Sequence, residues 1–302
     1  MIAKPKLIAT TKRNPYFIDE ERASISLSGG KTSGFMIRQI LDAHGGILPS
    51  WVKVTFANTG LEMEETLVFV QAMSDNWGFD ITWLEIDEAW TEPGKNGKTK
   101  RPYTVKVVDF ETAARSGEPF AKIIKQHGSL PNPVNRYCSN RMKSRAFKKY
   151  LNSIGWSDWS SYLGIRADEH RRGMKMKGKV LEGGEIVLPM MDAGHTIKDV
   201  SQFWENNDFD LMLPTHGGVA ALGNCSLCFL KNGGKKQSII RERPDLADWW
   251  IEQESLAGQV ADGNGRFFRI DQPTYATMKS AARNQVQMFE FDDDEIPCYC
   301  GD

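Results

Sequence analysis

The chain has 302 residues, of which 25% are charged and 40% are hydrophobic, and its formal net charge at pH 7 is −1. This composition is typical of a globular protein with a large core, and it excludes an overall basic field that would attract nucleic acid. The amino-terminal segment lacks an apolar signal-peptide core, and no apolar run approaches the length of a membrane span. We therefore expect a cytoplasmic protein that does not bind membranes.

The first predicted element is a strand that passes through a glycine-rich turn into a helix. Apolar alternation over 23–27 leads into Ser-Gly-Gly-Lys-Thr-Ser at 28–33, and helical spacing continues to about His44. A strand that breaks here exposes the backbone N–H groups of the first helical turn, which bind phosphate. A Walker A loop is excluded, because it needs glycine five positions before Gly30, where this chain has Ile25. An ordinary glycine-rich turn is the minor alternative.

Strands and helices then alternate along the chain. The pattern predicts strands at 51–60, 79–87, 159–166 and 185–192, and helices at 62–78, 118–128 and 139–155. The Gly-, Pro- and Lys-rich segment 88–102 is predicted to be a mobile loop. Such alternation indicates an α/β fold with a mostly parallel sheet and helices on both faces, whose ligands bind at the carboxyl ends of the strands.

The carboxyl-terminal third has a different pattern. From about Thr196 the sequence changes to helices, at 196–208 and 243–257, separated by irregular glycine-rich segments. We therefore predict a nucleotide-binding α/β domain at 1–195 and a smaller helical region at 196–302, which contains Cys-x-x-Cys and a Cys-x-Cys tail.

Five cysteines are present, and four of them form two close pairs. Cys225 and Cys228 form a Cys-x-x-Cys motif, and Cys298 and Cys300 lie within the last five residues. In a reducing compartment this pattern favours metal or redox chemistry over structural disulfides. Cys138 lies between basic residues, which we expect to lower its pKa.

Six motifs occur in order, and together they carry a resemblance to a known family. They are SLSGGKTS, FANTGLEMEET, NRYCSNRMK, LGIRADEHRR, PMMDAGHTIKDVSQFW and GNCSLCFLK, and they extend from about Ser24 to Lys231. In these motifs the chain resembles the phosphoadenosine phosphosulfate (PAPS) reductase family of PP-loop enzymes, within the adenine-nucleotide α-hydrolase-like superfamily. The resemblance implies a Rossmann-like sheet of about five strands that binds an adenosine nucleotide at its carboxyl edge.

The resemblance also implies roles for individual residues. The residues that match the family's nucleotide- and phosphate-binding positions are Ser28, Gly29, Gly30, Lys31, Thr32, Ser33, Thr59, Gly60, Arg136, Lys143, Gly164, Arg166, Arg171 and Arg172. Lys31 supplies a positive charge, and the forked guanidinium groups suit phosphate recognition. The outer lysines Lys175, Lys177 and Lys179 are expected to be solvated instead.

Two departures from the family pattern affect the chemistry. Thr32 and Asn58 occupy positions where ATP-splitting PP-loop enzymes commonly have aspartate, so Mg²⁺ would need Glu62, Glu64 or Asp168 as a substitute ligand. The thiol-dependent PAPS reductases end in Glu-Cys-Gly-Leu-His, whereas this chain ends in Cys-Tyr-Cys-Gly-Asp.

The resemblance also implies a metal centre, and it leaves open the kind of metal and the fourth ligand. Cys138, Cys225 and Cys228 match ligand positions of iron–sulfur relatives, and the fourth ligand is Cys298, Cys300 or none. A [4Fe–4S] cluster, a zinc ion and no metal are the three alternatives.

Three functions follow from these motifs. The favoured one is an oxidoreductase similar to PAPS or adenylyl-sulfate (APS) reductases, in which Cys298 or Cys300 attacks the sulfonate sulfur and a thioredoxin-like partner reduces the product. The second is an ATP-dependent, iron–sulfur-containing sulfurtransferase that thiolates nucleic acid, with basic clusters at 141–149 and 171–179 facing the nucleic acid. The third is a nucleotide-binding protein without catalytic activity.

Overall fold

The structure, a computed structural model, describes residues 13–216, 219–220, 222–260 and 263–284. Its strands are β1 Ala23–Leu27, β2 Val52–Ala57, β3 Ile81–Ala89, β4 Glu92–Pro93, β5 Thr99–Lys100, β6 Tyr103–Val108, β7 Trp159–Leu163, β8 Val180–Leu181, β9 Gly184–Val187, β10 Thr215–His216 and β11 Val219–Ala220.

Eleven α-helices lie within the same described ranges. They are α1 Lys31–Ala43, α2 Glu64–Trp77, α3 Glu118–His127, α4 Tyr137–Ser139, α5 Arg145–Ser153, α6 His170–Met176, α7 Pro189–Ala193, α8 Ile197–Glu205, α9 Gly233–Glu242, α10 Asp248–Val260 and α11 Tyr275–Arg283. A π-helical turn, Asn140–Ser144, joins α4 to α5. None of the helices in the described ranges is long and apolar enough to cross a membrane.

Seven strands form the main sheet, in the order β6-β3-β2-β1-β7-β9-β8. The five central strands are parallel, which confirms the predicted Rossmann-like α/β class. The sheet is larger than expected because β6 and β8 add antiparallel edges. Sequence patterning missed both edges, since β6 follows a glycine- and lysine-rich segment and β8 has only two residues. That segment, predicted to be a loop, contains the short antiparallel pair β4–β5.

Chain order places a crevice beside the first strand. From β1 the chain builds outward through β2 and β3 on one side, and later returns through β7 to the other side. In doubly wound sheets the ligand site forms where the order reverses, at the carboxyl ends of the strands. Here that position lies between β1 and β7.

Helix α1 is held tightly against its neighbours. Its apolar side chains, including Phe35 and Ile40, are buried on the sheet. Gly34 permits this approach, because a Cβ there would lie 2.7 Å from Met73 Sδ and 2.8 Å from the Trp204 ring. The Trp204 Nε1 also donates to the Lys31 carbonyl at 2.8 Å, so α8 fixes the first turn of α1.

A second core surrounds helices α9 to α11. Trp250, Phe268 and Tyr275 are fully buried there and contact one another. The division at residue 195 stays a prediction, since α8 from beyond it packs on α1 while α9 to α11 share their own core. The Tyr275 hydroxyl donates to the Leu227 carbonyl at 2.7 Å, so this core supports the Cys-x-x-Cys loop.

The stability of the fold is expected to fall as the pH rises from about 4.5 to 7, because of Glu254. Burial raises the pKa of Glu254 from its ordinary value to about 7, and its carboxylate accepts from the Tyr275 N–H. Between about pH 4.5 and 7 the folded state binds a proton that the unfolded chain has lost, so rising pH favours unfolding. Over this pH range, the free energy of unfolding measured with urea should fall by about 1–3 kcal/mol more in the native protein than in Glu254→Gln. Equal losses in both proteins would contradict this assignment.

Candidate functional site

The glycine-rich turn has the conformation of an anion-binding loop. Gly29 has φ +81°, and a Cβ there would lie 2.6 Å from Thr66 Cγ2, so the position requires glycine. Ser33 Oγ accepts from the Ser28 N–H at 3.1 Å and contacts Ser28 Oγ at 2.9 Å. No side chain among the described residues caps the amino terminus of α1, so the first N–H groups of this helix can bind an anion.

Lys31 is paired with an acidic residue that sequence analysis did not identify. Its Nζ donates to Asp210 Oδ2 at 2.6 Å, and Asp210 lies on the segment that follows α8. Side-chain exposure is 18% for Lys31 and 37% for Asp210, so the pair lies near the surface. An incoming phosphate would compete with Asp210 for the ammonium group. No sequence motif marks Asp210, because the contact joins residues far apart in the chain.

Asp210→Asn is expected to raise the affinity for inorganic tripolyphosphate by roughly three- to tenfold, since the competing carboxylate charge is lost. Isothermal titration calorimetry without divalent cations measures this directly. Asp192→Asn is a matched control, because Asp192 pairs with Lys177 away from the loop. A weaker binding of tripolyphosphate to Asp210→Asn would show that Asp210 helps to hold the anion.

Residues after β7 complete the edge around the phosphate loop. A Cβ at Gly164 would lie 3.2 Å from Ser33 Cα, so the end of β7 closely approaches α1. Arg166 donates through Nη1 to Thr32 Oγ1 at 3.2 Å and through Nε to Asp168 at 3.0 Å. Arg172 pairs with Glu169, and its buried Nε lacks a partner among the described residues. Arg166 therefore lies at the first turn of α1, and Arg172 lines the neighbouring cavity.

A cavity of about 550 Å³ opens beside this loop, between β1, β7 and the helical segment 137–153. The predicted residues that line it are Ser28, Ser33, Arg136, Lys143, Gly164 and Arg172. Its volume lies in the range of small-molecule sites, so a nucleotide fits it in size. Arg171, by contrast, is exposed on α6 and does not line the cavity.

The turn after β2 belongs to a neighbouring site. Thr59 donates through its backbone N–H and its hydroxyl to Glu62 at 2.9 Å, and Thr59 Oγ1 lies 3.4 Å from Cys225 Sγ. Gly60 packs on the backbone of Gly117, because a Cβ on Gly60 would lie only 2.9 Å from the Gly117 nitrogen. Thr59 and Gly60 therefore lie on the side of the cysteines and do not line the cavity. Ala57, the last residue of β2, does line it.

The Cys-x-x-Cys segment is a tight turn fixed to the sheet. The Cys228 N–H donates to the Cys225 carbonyl at 3.1 Å, and the Ser226 N–H donates to the Leu61 carbonyl at 3.0 Å. Together with the Tyr275 hydroxyl on Leu227, these bonds hold the turn against the end of β2. The backbone of the Cys-x-x-Cys turn is therefore bonded both to the segment after β2 and to α11.

Cys138 reaches the same apolar cluster from the other direction. Cys138, Cys225 and Cys228 are free thiols and all pack against one set of buried side chains. Burial raises the pKa of Cys138 to about 12, and a negative charge on Cys228 would raise it further. The expectation that basic neighbours lower this pKa was wrong, because removal from water outweighs them. Burial likewise raises the pKa of Cys225, so both thiols stay protonated unless a cation binds.

Lys143 connects the cavity with the cysteines. It lines the cavity, and its Nζ lies 3.5 Å from Asn224 Oδ1, next to Cys225. Its charge acts to lower the pKa of both Cys138 and Cys225, although burial dominates. The π-helical turn that contains Lys143 is a feature often found at functional sites. The nucleotide-sized cavity and the thiols are therefore adjacent parts of one region.

Most of the predicted basic clusters are satisfied within the protein. Arg145 and Lys148 both pair with Glu182, while Arg141 and Lys149 lie over the Tyr103 ring. Four of the basic side chains in 141–149 therefore have partners within the protein, and the role of this cluster toward nucleic acid stays a prediction.

The suggested substitute ligands for Mg²⁺ differ in availability. Glu62 binds Thr59 with both oxygens, Glu64 pairs with Arg115, and Asp168 pairs with Arg166 beside the phosphate loop. Asn58 is not available as a Mg²⁺ ligand, because its side-chain amide forms hydrogen bonds with Glu85, Ala114 and Gly60. Asp168 is thus the predicted carboxylate nearest the loop. Cys298 and Cys300, the predicted nucleophiles, lie outside the described residues.

The fold and this loop define a Rossmann-like α/β protein with a glycine-rich turn at the switch point of its sheet. No family model matches the chain. It is 29% identical over 250 residues to the uncharacterized nin region protein ORF290 of Escherichia phage lambda, a match that covers 80% of this chain and 76% of the relative.

Two further similarities are more distant. The uncharacterized protein MJ0066 of Methanocaldococcus jannaschii is 24% identical over 242 residues. This match covers 79% of the present chain but only 42% of MJ0066. Among solved structures, the U34-tRNA thiolase NcsA from Methanococcus maripaludis with its [4Fe-4S] cluster aligns with a TM-score of 0.40 and 13% identity, over 91% of this chain and 76% of that one. These comparisons do not support assignment to the PAPS reductase family.

Proposed function

We propose that the protein is a PP-loop enzyme that uses ATP to drive sulfur transfer, with Cys138, Cys225 and Cys228 as its sulfur-handling centre. The observation that carries this proposal is the packing of these three thiols against one apolar cluster, next to a nucleotide-sized cavity. Lys143 lines that cavity and lies beside the thiols, so a bound nucleotide and the cysteines would share one active centre.

The reductase interpretation gains less from the described residues. It requires a thiolate from Cys298 or Cys300 at the phosphate loop, and neither residue is described. Of the three described thiols, Cys225 lies next to the β2 turn, with its Sγ 3.4 Å from Thr59 Oγ1.

The chemistry needs two displacements. A carbonyl oxygen of the acceptor attacks the α-phosphorus of ATP, and the broken P–O bond releases pyrophosphate. Inorganic sulfide then attacks the activated carbon, a C–S bond forms, and the C–O bond breaks with AMP as the leaving group. The free N–H groups of α1, Lys31, Arg166 and Arg172 would hold the phosphate charges during both steps.

The three donors are all thiols, which suits an iron–sulfur cluster. Within the described ranges no three His, Cys, Asp or Glu side chains are grouped closely enough to hold a metal, so the three thiols would have to move together around a cluster or a zinc ion. A cluster distributes its ligands over several irons, and thiolates are the ligands that such clusters prefer. A [4Fe–4S] cluster bound by Cys138, Cys225 and Cys228 would supply an open iron that binds sulfide. The apolar surroundings that raise the thiol pKa would exclude water from it.

The acceptor in this proposal is a nucleobase of a nucleic acid. Arg171, Lys175 and Lys179 are exposed on and after α6, and none has an ion pair with a described residue. Exposed cations near the mouth of the cavity suit phosphate contacts. This small set replaces the larger basic clusters expected from the sequence.

Metal analysis tests the proposal. The protein is purified without oxygen, reconstituted with iron and sulfide, and analysed for iron, zinc and sulfide together with its visible spectrum. A brown protein with about four irons per chain is the expected result. A colourless protein that binds stoichiometric zinc, or no metal at all, would overturn the proposed centre.

A further inference from the structure

The inner half of the cavity lies on the face of the sheet, away from the phosphate loop. Ser24 and Ser26 line it from β1, and Trp159 and Ser161 line it from β7. Alternation along each strand brings these side chains to one face, and the register pairs Ser24 with Ser161 directly. Ser26 begins the motif SLSGGKTS, but no motif covers Ser24, Trp159 or Ser161, so sequence analysis did not identify this compartment.

Hydroxyl groups at this depth are unusual. Central strands of a parallel sheet are buried on both faces and normally carry apolar side chains there. Ser24 is only 2% exposed, yet neither Ser24 nor Ser26 has a side-chain hydrogen bond to any residue that the structure describes. Ser161 Oγ accepts from Trp159 Nε1 at 2.9 Å, so its own proton is free to be donated. Hydroxyls on the cavity wall that have hydrogen-bonding capacity left over suit a polar ligand in the cavity.

The walls of the inner half are flat and apolar. Phe147 of α5 and the Trp159 indole face the cavity, with Ile186 of β9 beside them. Gly184 makes room for this arrangement, because a Cβ there would lie 2.4 Å from both Trp159 Nε1 and Ser161 Oγ. Aromatic walls with hydroxyls between them suit a flat heterocycle that has donors and acceptors on its edge.

Charge is distributed unevenly along the cavity. Arg136, Lys143 and Arg172 lie on the helical and loop segments around it, while β1 and β7 contribute only uncharged side chains. The carboxylate of Glu182 also lines the cavity and is paired with Arg145 and Lys148. A ligand with an anionic end and a neutral, planar end would fit in one orientation, with the anion at the phosphate loop. A nucleotide has this polarity.

We propose that the sheet-face compartment binds the purine base of the nucleotide, and that Ser26 and Ser161 hydrogen-bond the edge of that base. The proposal rests on the nucleotide site of the proposed function and deepens it by locating its base. The cavity of about 550 Å³ is larger than the phosphates and sugar alone require, and the base occupies the remainder. Ser26 and Ser161 are thereby specificity-determining residues.

The test compares ATP with inorganic tripolyphosphate by calorimetry on the full chain. Ser161→Val is expected to weaken ATP binding roughly tenfold while leaving tripolyphosphate binding unchanged, because only ATP has a base. Ser160→Val is the matched control, since Ser160 is the adjacent serine on the opposite face of β7 and does not line the cavity. Unchanged tripolyphosphate binding also shows that the variant is folded. Ser26→Ala provides a second, smaller change in the same direction.

Three results would overturn the proposal. They are an unchanged ATP affinity in Ser161→Val, an equal loss of ATP and tripolyphosphate affinity in that variant, and equal affinity of the native protein for purine and pyrimidine triphosphates. The phosphate site is tested separately with Lys31→Ala, which should weaken both ligands. If Lys31→Ala leaves tripolyphosphate binding intact, the proposed function fails at its phosphate loop, independently of the base compartment.

Discussion

Cys225→Ser is expected to abolish iron binding by the reconstituted protein, lowering it from about four irons per chain to less than one. The physical reason is that Cys225 lies in the centre of the site, with Thr59 Oγ1 at 3.4 Å and Cys138 and Cys228 in the same apolar cluster. A serine hydroxyl has a similar size but does not ionise to replace a thiolate ligand. Iron and sulfide analysis, together with the loss of brown colour, measures the effect.

The tail cysteines provide the control for this experiment. Cys298→Ser and Cys300→Ser should each retain the full iron content if three cysteines suffice, and loss of iron in one of them would identify it as the fourth ligand. Thermal unfolding of the metal-free proteins checks that Cys225→Ser folds normally. Full iron content in Cys225→Ser would contradict the three-thiol centre.

Lys31→Ala is expected to weaken nucleotide binding by about 1–3 kcal/mol, which corresponds to about 5- to 150-fold in affinity. Lys31 provides an ammonium group at the amino terminus of α1, and its only described ionic partner is Asp210, which a phosphate would displace. The loss removes a charge-assisted hydrogen bond to a phosphate oxygen. Calorimetry with ATP and with tripolyphosphate should show similar losses.

An exposed lysine controls for general charge effects in this measurement. Lys125→Ala removes the same charge from the exposed side of α3, which does not line the cavity, and should change affinity little. The account of the phosphate loop would be wrong if both variants weakened ATP binding equally.

Local sequence patterns predicted the parts of the fold that local physics determines. The turn at Gly29 follows from glycine's tolerance of positive φ, and the core strands follow from uninterrupted apolar runs such as 52–57. The edge strands β6 and β8 were missed, because antiparallel edges depend on a neighbouring strand rather than on their own composition. The same limit applies to the β4–β5 pair inside the predicted loop.

The candidate site shows the difference between chain neighbours and spatial neighbours. Basic residues adjacent in sequence suggested a low pKa for Cys138, whereas burial raises it to about 12. The partnership of Lys31 with Asp210, and the packing of Cys138 and Cys225 against one apolar cluster, join segments that no short motif connects. Motifs therefore identified the residue types, and the fold determined which of them meet.

The choice between sulfur transfer and sulfonate reduction is tested most directly by titrating one anaerobic, iron-reconstituted preparation with ATP and with PAPS. The account predicts tighter binding of ATP, with no sulfite released from PAPS in the presence of a thiol reductant. Tighter binding of PAPS, accompanied by sulfite release that Cys298→Ser or Cys300→Ser abolishes, would contradict it and establish a reductase.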